Sequence, residues 1–298
     1  MEKHKLPVST HTARTEGTNS RVTVQAVRGV NGTLAYRQYR AGIIDDSIVL
    51  LHGLGSAGVD WSLQTAELVH RYRVITIDLP GHGESPPSNH RSSIPELSRQ
   101  VLQTLDGLHT KPCILVGHSL GGITALQMVL DQPDRFRALV LVNAVPHMSV
   151  SRHSIRQGMG RLPDVLLGRM DMLAGFVAAE HFPHPGQDLL RRLAVRRIGS
   201  VERQTYLHMM TAILRFDVRG QLGRISKPVL VVSGTDDRVF SSSDKQVLAE
   251  KLPDVTWVEM EESGHACPQD SPVRFNRILW SFLDQLDSPE ETETSEYN

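Results

Sequence analysis

The chain has 298 residues, of which 40% are hydrophobic and 22% charged, as is usual for a globular protein. Its formal net charge of −1 gives no basic surface overall, so we expect no nucleic-acid partner. The first twenty residues lack the apolar core of a signal peptide, and no run approaches the ~20 apolar residues of a membrane span. We therefore expect a cytoplasmic protein, with a length that suits one α/β domain carrying an insertion.

Apolar runs and amphipathic stretches alternate along most of the chain. Two segments of alternating polarity, 21–28 and 33–40, predict an N-terminal hairpin. Continuous apolar runs predict strands buried on both faces at 48–51, 74–77, 113–116, 138–142, 229–232 and 255–258. Helical patterns lie between them at 61–70, 94–108, 120–131, 242–252 and 272–286. This order predicts an α/β fold with a mostly parallel twisted sheet and helices on both faces.

The alternation stops between residues 146 and 224, where several helical stretches are broken by glycine and proline. From Met148 to Arg224 this segment holds twelve arginine and six acidic residues. This excess of positive charge has two interpretations. The arginines either form a face exposed to solvent or bind an anionic group of the substrate. The tails at 1–20 and 288–298, the second of them acidic, are predicted to be disordered because neither can bury much apolar surface.

Ser119 is the residue with the strongest chemical indication. It lies in the sequence Gly117-His118-Ser119-Leu120-Gly121, between a predicted strand and a predicted helix. A Gly-x-Ser-x-Gly turn between a strand and a helix lifts a serine hydroxyl clear of the backbone. The motif alone is weak, since it arises by chance in roughly one chain in ten of this size. A glycine-rich turn without chemistry is the alternative for this segment taken by itself.

Four segments in a fixed order add to this motif, and together they resemble the α/β-hydrolase superfamily, in its branch of capped serine hydrolases and esterases. The resemblance covers most of the chain, from about residue 30 to 286, and rests on residues 51–55, 78–85, 117–122 and the pair 234–239 with 263–265. It implies the α/β-hydrolase fold, with a core formed by 21–145 and 225–287. It also implies that residues 146–224 form a helical cap over the active site.

The same resemblance implies the chain order of nucleophile, acid and base, which are Ser119, Asp237 and His265. A serine needs a base near neutral pKa to take its proton, and that base needs a carboxylate to orient it. Asp236 is the alternative acid. The amides of Leu54 and Leu120 are expected to hold the oxyanion of the tetrahedral intermediate.

Other residues are assigned from their position in these motifs. His52 and His82 are interpreted as structural, while His181 and His184 could either contact substrate or face solvent. Six of the nine methionines lie in the inserted segment, where thioethers could line an acyl pocket or only fill its core. The predicted substrate pocket contains Trp61, His118, Met148, Met172 and Met209.

The resulting hypothesis is a serine hydrolase that cleaves a carboxylic ester, lactone or thioester of a small organic molecule through an acyl-enzyme. The alternatives are a C–C bond hydrolase or an acyltransferase with the same residues, and, from another class, a ligand receptor on a hydrolase scaffold. A serine nucleophile argues against the related epoxide hydrolases and haloalkane dehalogenases, which use a carboxylate. We expect no cofactor and no metal, because the glycine motifs lack a phosphate-loop lysine and the two cysteines have no ligand spacing. Monomer and dimer both remain open.

Overall fold

The computed structural model describes residues 24–31, 34–87, 93–149, 163–164 and 167–287. The tails predicted at 1–20 and 288–298 lie outside these ranges, and so does part of the inserted segment, including 150–162. The disorder predicted for the tails therefore stays a prediction.

Eight strands form one sheet in the order β1-β2-β4-β3-β5-β6-β7-β8. The β1–β2 and β2–β4 pairs are antiparallel, and every other neighbouring pair is parallel. The predicted α/β fold with a mostly parallel sheet is thus confirmed. The strands are β1 Val24–Asn31, β2 Leu34–Ala41, β3 Ser47–Leu51, β4 Arg73–Ile77, β5 Cys113–His118, β6 Phe136–Val142, β7 Val229–Gly234 and β8 Val255–Met260.

Nine α-helices are assigned within the described ranges. Three of them, α4 to α6, lie between β6 and β7, and the others cover the two faces of the sheet. The helices are α1 Ser62–Leu68, α2 Ile94–Gly107, α3 Leu120–Asp131, α4 Met170–His181, α5 Asp188–Gly199, α6 Arg203–Arg215, α7 Ser242–Lys251, α8 Cys267–Asp270 and α9 Pro272–Asp287. None of the helices in these ranges is both long and apolar enough to cross a membrane.

The core has one apolar cluster on each face of the sheet, because successive strand side chains point to opposite faces. In β3, Val49 and Leu51 belong to the cluster under α2 and α3, while Ile48 and Leu50 belong to the cluster under α1 and α9. This burial on both faces explains why the central strands read as unbroken apolar runs. The same burial holds the carboxyl ends of the strands in place, and the predicted site residues lie in the loops that follow these ends.

The inserted segment has a small core of its own. Leu173, Val177, Ile198 and Tyr206 are buried together at the contact between α4, α5 and the start of α6. Its two ends meet at an isolated antiparallel bridge between His147 and Asp217. The segment therefore leaves and rejoins the sheet at one place, while α6 also contributes to the main core.

Candidate active site

Ser119 lies in the turn between β5 and α3, with φ 52° and ψ −117°. Positive φ is strained for a residue with a side chain and persists only where the surroundings enforce it. Here the Ser119 amide donates to the carbonyl of Val142 at the end of β6, over 2.9 Å. A Cβ on Gly121 would overlap the carbonyl oxygen of Leu51, so only glycine lets α3 start this close to β3. The glycine of the motif thus has a steric role in the turn.

Asp237 and His265 are brought together by the loops that follow β7 and β8. Asp237 Oδ1 accepts a hydrogen bond from Nδ1 of His265 at 2.9 Å and from the amide of Val239 at 2.8 Å. Burial opposes the charge of this carboxylate, but His265, the Lys245 ammonium and the Val239 amide outweigh it and lower the pKa of Asp237 well below its usual range. Asp237 is therefore an ionised, hydrogen-bonded partner of His265 at neutral pH.

Asp236, the alternative acid from the sequence, faces a different group. Its Oδ2 lies 3.2 Å from Nε2 of His184, and its side chain is 43% exposed. His184 follows α4, so this pair joins the inserted segment to the loop after β7. The structure thus gives Asp237, and not Asp236, the contact with His265.

His118 connects the predicted nucleophile to the predicted base. Its Nε2 donates to the carbonyl oxygen of His265 at 2.8 Å, and the two ring centroids are 5.0 Å apart. Burial, assisted by the nearby His265, lowers the pKa of His118 to about 3, so this imidazole is neutral at pH 7. Because His118 immediately precedes Ser119, the hydrogen bond fixes the His265 loop beside the turn.

The atoms available for proton transfer follow from these contacts. His265 Nδ1 is engaged with Asp237, which leaves Nε2 as the ring nitrogen able to accept a proton. Within the described ranges, no hydrogen bond joins Ser119 Oγ to His265. Catalytic hydrogen bonds are often long in a free enzyme and tighten only when substrate binds.

Two buried histidines hold the loop that contains Leu54. His52 donates from Nδ1 to the Gly53 carbonyl at 2.8 Å and accepts at Nε2 from the Leu79 amide at 2.9 Å. His82 donates from Nδ1 to the Pro80 carbonyl and accepts at Nε2 from the Gly55 amide, both at 3.0 Å. Each ring needs one donor and one acceptor nitrogen, so both must be neutral. These contacts support the structural role predicted for His52 and His82.

The amides of Leu54 and Leu120 have no hydrogen-bond acceptor within the part of the chain that the structure describes. Leu120 is the first residue of α3, where helix amides lack intrahelical partners and the helix dipole favours negative charge. Both amides can therefore donate to an oxyanion.

A cavity of about 360 Å³ contains Ser119 and His118 in its wall. Most of the remaining wall is apolar and comes from the loop after β3, from α1, from the end of α4 and from α5, including Leu54, Val59, Leu63, Phe182, Leu190, Leu193, Ala194 and Ile198. The inserted segment thus supplies one side of the cavity through α5 and through His181 and Phe182 at the end of α4. A larger cleft of about 810 Å³ lies between α6 and the start of α2 and contains none of the predicted site residues.

Of the predicted pocket residues, only His118 lines this cavity. Met209 is 1% exposed and belongs to the main core, and Met148 packs against that core. Met172 is 59% exposed on α4. Trp61 packs against Phe275, with ring centroids 6.3 Å apart, and borders only a small adjoining void.

Sequence reasoning missed α5 as the wall of the cavity. Leu190, Leu193, Ala194 and Ile198 share one face of this helix at spacings of three, one and four residues. That helical spacing is visible in the sequence and could have identified them. The abundance of methionine, in contrast, reflected the packing and the surface of the inserted segment.

Arg197 is a cavity-lining residue with a positive charge, but it has a partner. Its Nη2 lies 3.3 Å from Oδ1 of Asp60, which also lines the cavity. Asp60 Oδ2 accepts from Ser56 Oγ at 2.7 Å and from the Ala57 amide at 3.0 Å. The pair makes the polar part of the cavity wall close to neutral overall.

Comparison with known proteins places the chain in a family. Residues 46–268 match the model of the alpha/beta hydrolase fold family. The chain belongs to the α/β hydrolase family. This α/β hydrolase is 32% identical over 255 residues to a protein of Variovorax paradoxus named "Putative carbamate hydrolase RutD", in an alignment that covers 82% of this chain and 94% of the relative.

Two solved structures resemble the fold of this α/β hydrolase. A hydrolase from Pseudomonas aeruginosa has a TM-score of 0.76 and 25% identity, covering 87% of this chain and 95% of its own. An enol-lactonase from Burkholderia xenovorans has a TM-score of 0.78 and 22% identity, covering 86% of this chain and 99% of its own. The likeness to the second structure concerns the fold alone.

The geometry defines what this hydrolase site can do chemically. A serine in a strained turn, an imidazole held by an ionised carboxylate, and two free amides are the parts needed for acyl transfer. Within the described residues, no cluster of three or more histidine, cysteine or acidic side chains could hold a metal ion.

Proposed function

We propose that this protein hydrolyses a carboxylic ester of a small, uncharged organic molecule through an acyl-enzyme on Ser119. The observation that carries the proposal is the 2.9 Å hydrogen bond between Asp237 and His265, in a loop fixed beside Ser119 by His118. It supports the roles of base for His265, orienting acid for Asp237 and nucleophile for Ser119.

The reaction proceeds in two halves. Ser119 Oγ attacks the ester carbonyl while His265 Nε2 takes the hydroxyl proton, and the amides of Leu54 and Leu120 bind the oxyanion. Collapse of the intermediate breaks the bond to the alcohol, which leaves with the proton from His265. Water then attacks the acyl-enzyme with the same base and releases the acid and free Ser119.

The cavity supports an uncharged acyl group of modest size. Its apolar wall includes four leucines, Ile198 and two alanines, and Arg197 is already paired with Asp60. Binding an anionic group at Arg197 would require it to compete with Asp60 for the guanidinium. A lactone or a thioester with the same acyl part fits the same description.

The test is covalent labelling combined with turnover. A fluorophosphonate probe should label Ser119, and p-nitrophenyl esters of graded acyl length should be hydrolysed. The Ser119→Ala variant should lose labelling and at least about 10⁴-fold in kcat/KM. Ser62 lines the same cavity, so Ser62→Ala is the matched control and should still be labelled. Retained turnover in a folded Ser119→Ala variant would exclude the proposal.

A carbamate is the second candidate substrate, and one specific observation favours it. The relatives named as carbamate hydrolases are 30–32% identical and align over about 80% of this chain. Cleavage of a carbamate uses the same attack of Ser119 on a carbonyl carbon. Comparing kcat/KM for an ester and a carbamate of the same leaving alcohol decides between the two.

A further inference from the structure

Lys245 is a buried lysine next to the proposed site. It lies on α7, and only 2% of its side chain is exposed. Lysine is almost never fully buried unless it is paired, because removing an ammonium from water is costly. The proposed acyl-transfer reaction does not yet give this residue a role.

The Lys245 ammonium is fully matched by acceptors. Its Nζ lies 3.1 Å from Asp237 Oδ2, 3.1 Å from Asn143 Oδ1 and 3.3 Å from the Gly234 carbonyl. An ammonium has three N–H donors, so each donor has one acceptor. The three acceptors come from the ends of β6 and β7 and from the loop after β7, which the ammonium ties together.

The two oxygens of Asp237 accept hydrogen bonds from different donors. Oδ1 faces His265 and the Val239 amide, whereas Oδ2 faces Lys245. Rotation of the carboxylate away from His265 would break both sets of contacts. Asn143 supports the arrangement further, because its Nδ2 donates to the His265 carbonyl at 2.8 Å.

We propose that Lys245 is a positioning residue for this reaction, whose ammonium holds the Asp237 carboxylate toward His265 and offsets part of its negative charge. This inference rests on the proposed function, since it assigns to Lys245 an effect on the base of that reaction. The effect reaches substrate only through Asp237 and His265.

The positive charge of Lys245 acts on the imidazole of His265 as well as on Asp237. A protonated His265 is stabilised by Asp237 and destabilised by the nearby ammonium. Removing the ammonium should therefore favour the positive charge that His265 gains when it takes the proton of Ser119. The other titratable groups around His265 are His118 from β5, His181 from the end of α4 with its ring 4.8 Å away, and Cys267 from α8, whose thiol pKa burial raises to about 12.

The experiment replaces Lys245 in two ways. Lys245→Met removes both the charge and the donors, whereas Lys245→Gln removes the charge and keeps an amide donor. Lys251→Met is the matched control, because Lys251 ends the same helix and is exposed. The pH dependence of kcat/KM for a p-nitrophenyl ester is measured for each, with thermal unfolding to verify the fold.

The expected result is that the acidic limb of the kcat/KM profile moves to higher pH in Lys245→Met and Lys245→Gln, and not in Lys251→Met. At high pH we expect kcat/KM to fall more in Lys245→Met than in Lys245→Gln, because only methionine lacks a hydrogen-bond donor for Asp237. An unmoved limb in the folded Lys245 variants would overturn the inference. So would failure of both variants to fold, since Lys245 would then be an ion-pair partner required for the fold alone.

Ser119→Ala, measured in the same series, separates the two proposals. If the unchanged protein is active and Ser119→Ala is inactive, a failure in the Lys245 series concerns Lys245 only. If Ser119→Ala is as active as the unchanged protein, the proposed function fails first.

Discussion

His118 donates a hydrogen bond through Nε2 to the carbonyl oxygen of His265 at 2.8 Å. The two residues are separated by 147 positions in the sequence, yet this contact attaches the loop after β8 to the end of β5. Because His118 is neutral and buried, it can act as a fixed donor over the pH range of the reaction. The position of His265 relative to Ser119 is thus set by a buried hydrogen bond.

The contact between Asp237 and His265 predicts a sharp difference between two adjacent aspartates. Asp237→Asn should reduce kcat about 10³–10⁴-fold, because an amide cannot stabilise the protonated imidazole. Asp236→Asn removes only the partly exposed pair with His184 and should stay within a few-fold of the unchanged protein. Steady-state kinetics of both variants checks this, and equal losses would contradict it.

Because α5 forms a wall of the cavity, a larger side chain on this helix should impair long-acyl substrates more than short-acyl ones. Ala194→Trp should lower kcat/KM for long-acyl p-nitrophenyl esters at least about tenfold more than for the acetate, because the indole occupies acyl space. Leu189→Trp, on the same helix but outside the cavity wall, is the control and should leave the acyl preference unchanged. A uniform loss across all acyl lengths in Ala194→Trp would argue against this location of the acyl group.

The buried neutral histidines predict a loss of stability in mild acid. Burial, with a contribution from nearby histidines, lowers the pKa of His82 and of His118 to about 3. The unfolded chain titrates near 6.5, so it binds more protons than the folded protein as the pH falls below that value. The stability from each group is complete above pH 6.5 and decreases by about 2 kcal/mol between pH 6.5 and 5.

Urea unfolding at pH 7.5 and pH 5 measures this loss. His82→Gln keeps an acceptor for the Gly55 amide but cannot be protonated, so its stability should change less between the two pH values. His70 is exposed, and His70→Gln should behave like the unchanged protein. Equal pH dependence in His82→Gln and His70→Gln would refute this explanation.

The close approach of α3 to β3 predicts a stability effect at a single glycine. Gly121→Ala forces a methyl group onto the Leu51 carbonyl and should destabilise the protein by about 1–3 kcal/mol, seen as a lower melting temperature. Gly175→Ala is the control, because α4 leaves open space there and alanine favours a helix. A Gly121→Ala melting temperature at or above that of the unchanged protein would show that the turn has room to adapt.

The sequence predicted the sheet and its flanking helices to within a few residues. Its buried strands are continuous apolar runs, and α3 at Leu120–Asp131 was predicted at both ends. Ordered motifs mark Ser119, Asp237 and His265 in the sequence, and the structure brings the last two into contact. The choice between Asp236 and Asp237 rested on the motif, and the structure adds the hydrogen bond that distinguishes them.

Other features of the site cannot be recognised from the sequence around the residues concerned. Lys245 lies in a helix with further charged residues and gives no sign of its burial, which depends on acceptors contributed by Asn143, Gly234 and Asp237. The cavity wall also depends on how α5 is placed over the sheet. Methionine content could not replace that information, because Met172 and Met209 point to the surface and to the main core.

The bridge between His147 and Asp217 has an evolutionary consequence. A second contact lies beside it, from the Val218 amide to the Pro146 carbonyl at 3.0 Å. Together the two contacts join the beginning and the end of the segment that contains α4, α5 and α6. Of these helices, α4 and α5 can lengthen, shorten or be exchanged while the strands and the turn at Ser119 keep their places, whereas α6 also packs in the main core. Changes to the stretch of the gene that encodes α4 and α5 can thus reshape the cavity wall without altering the sheet.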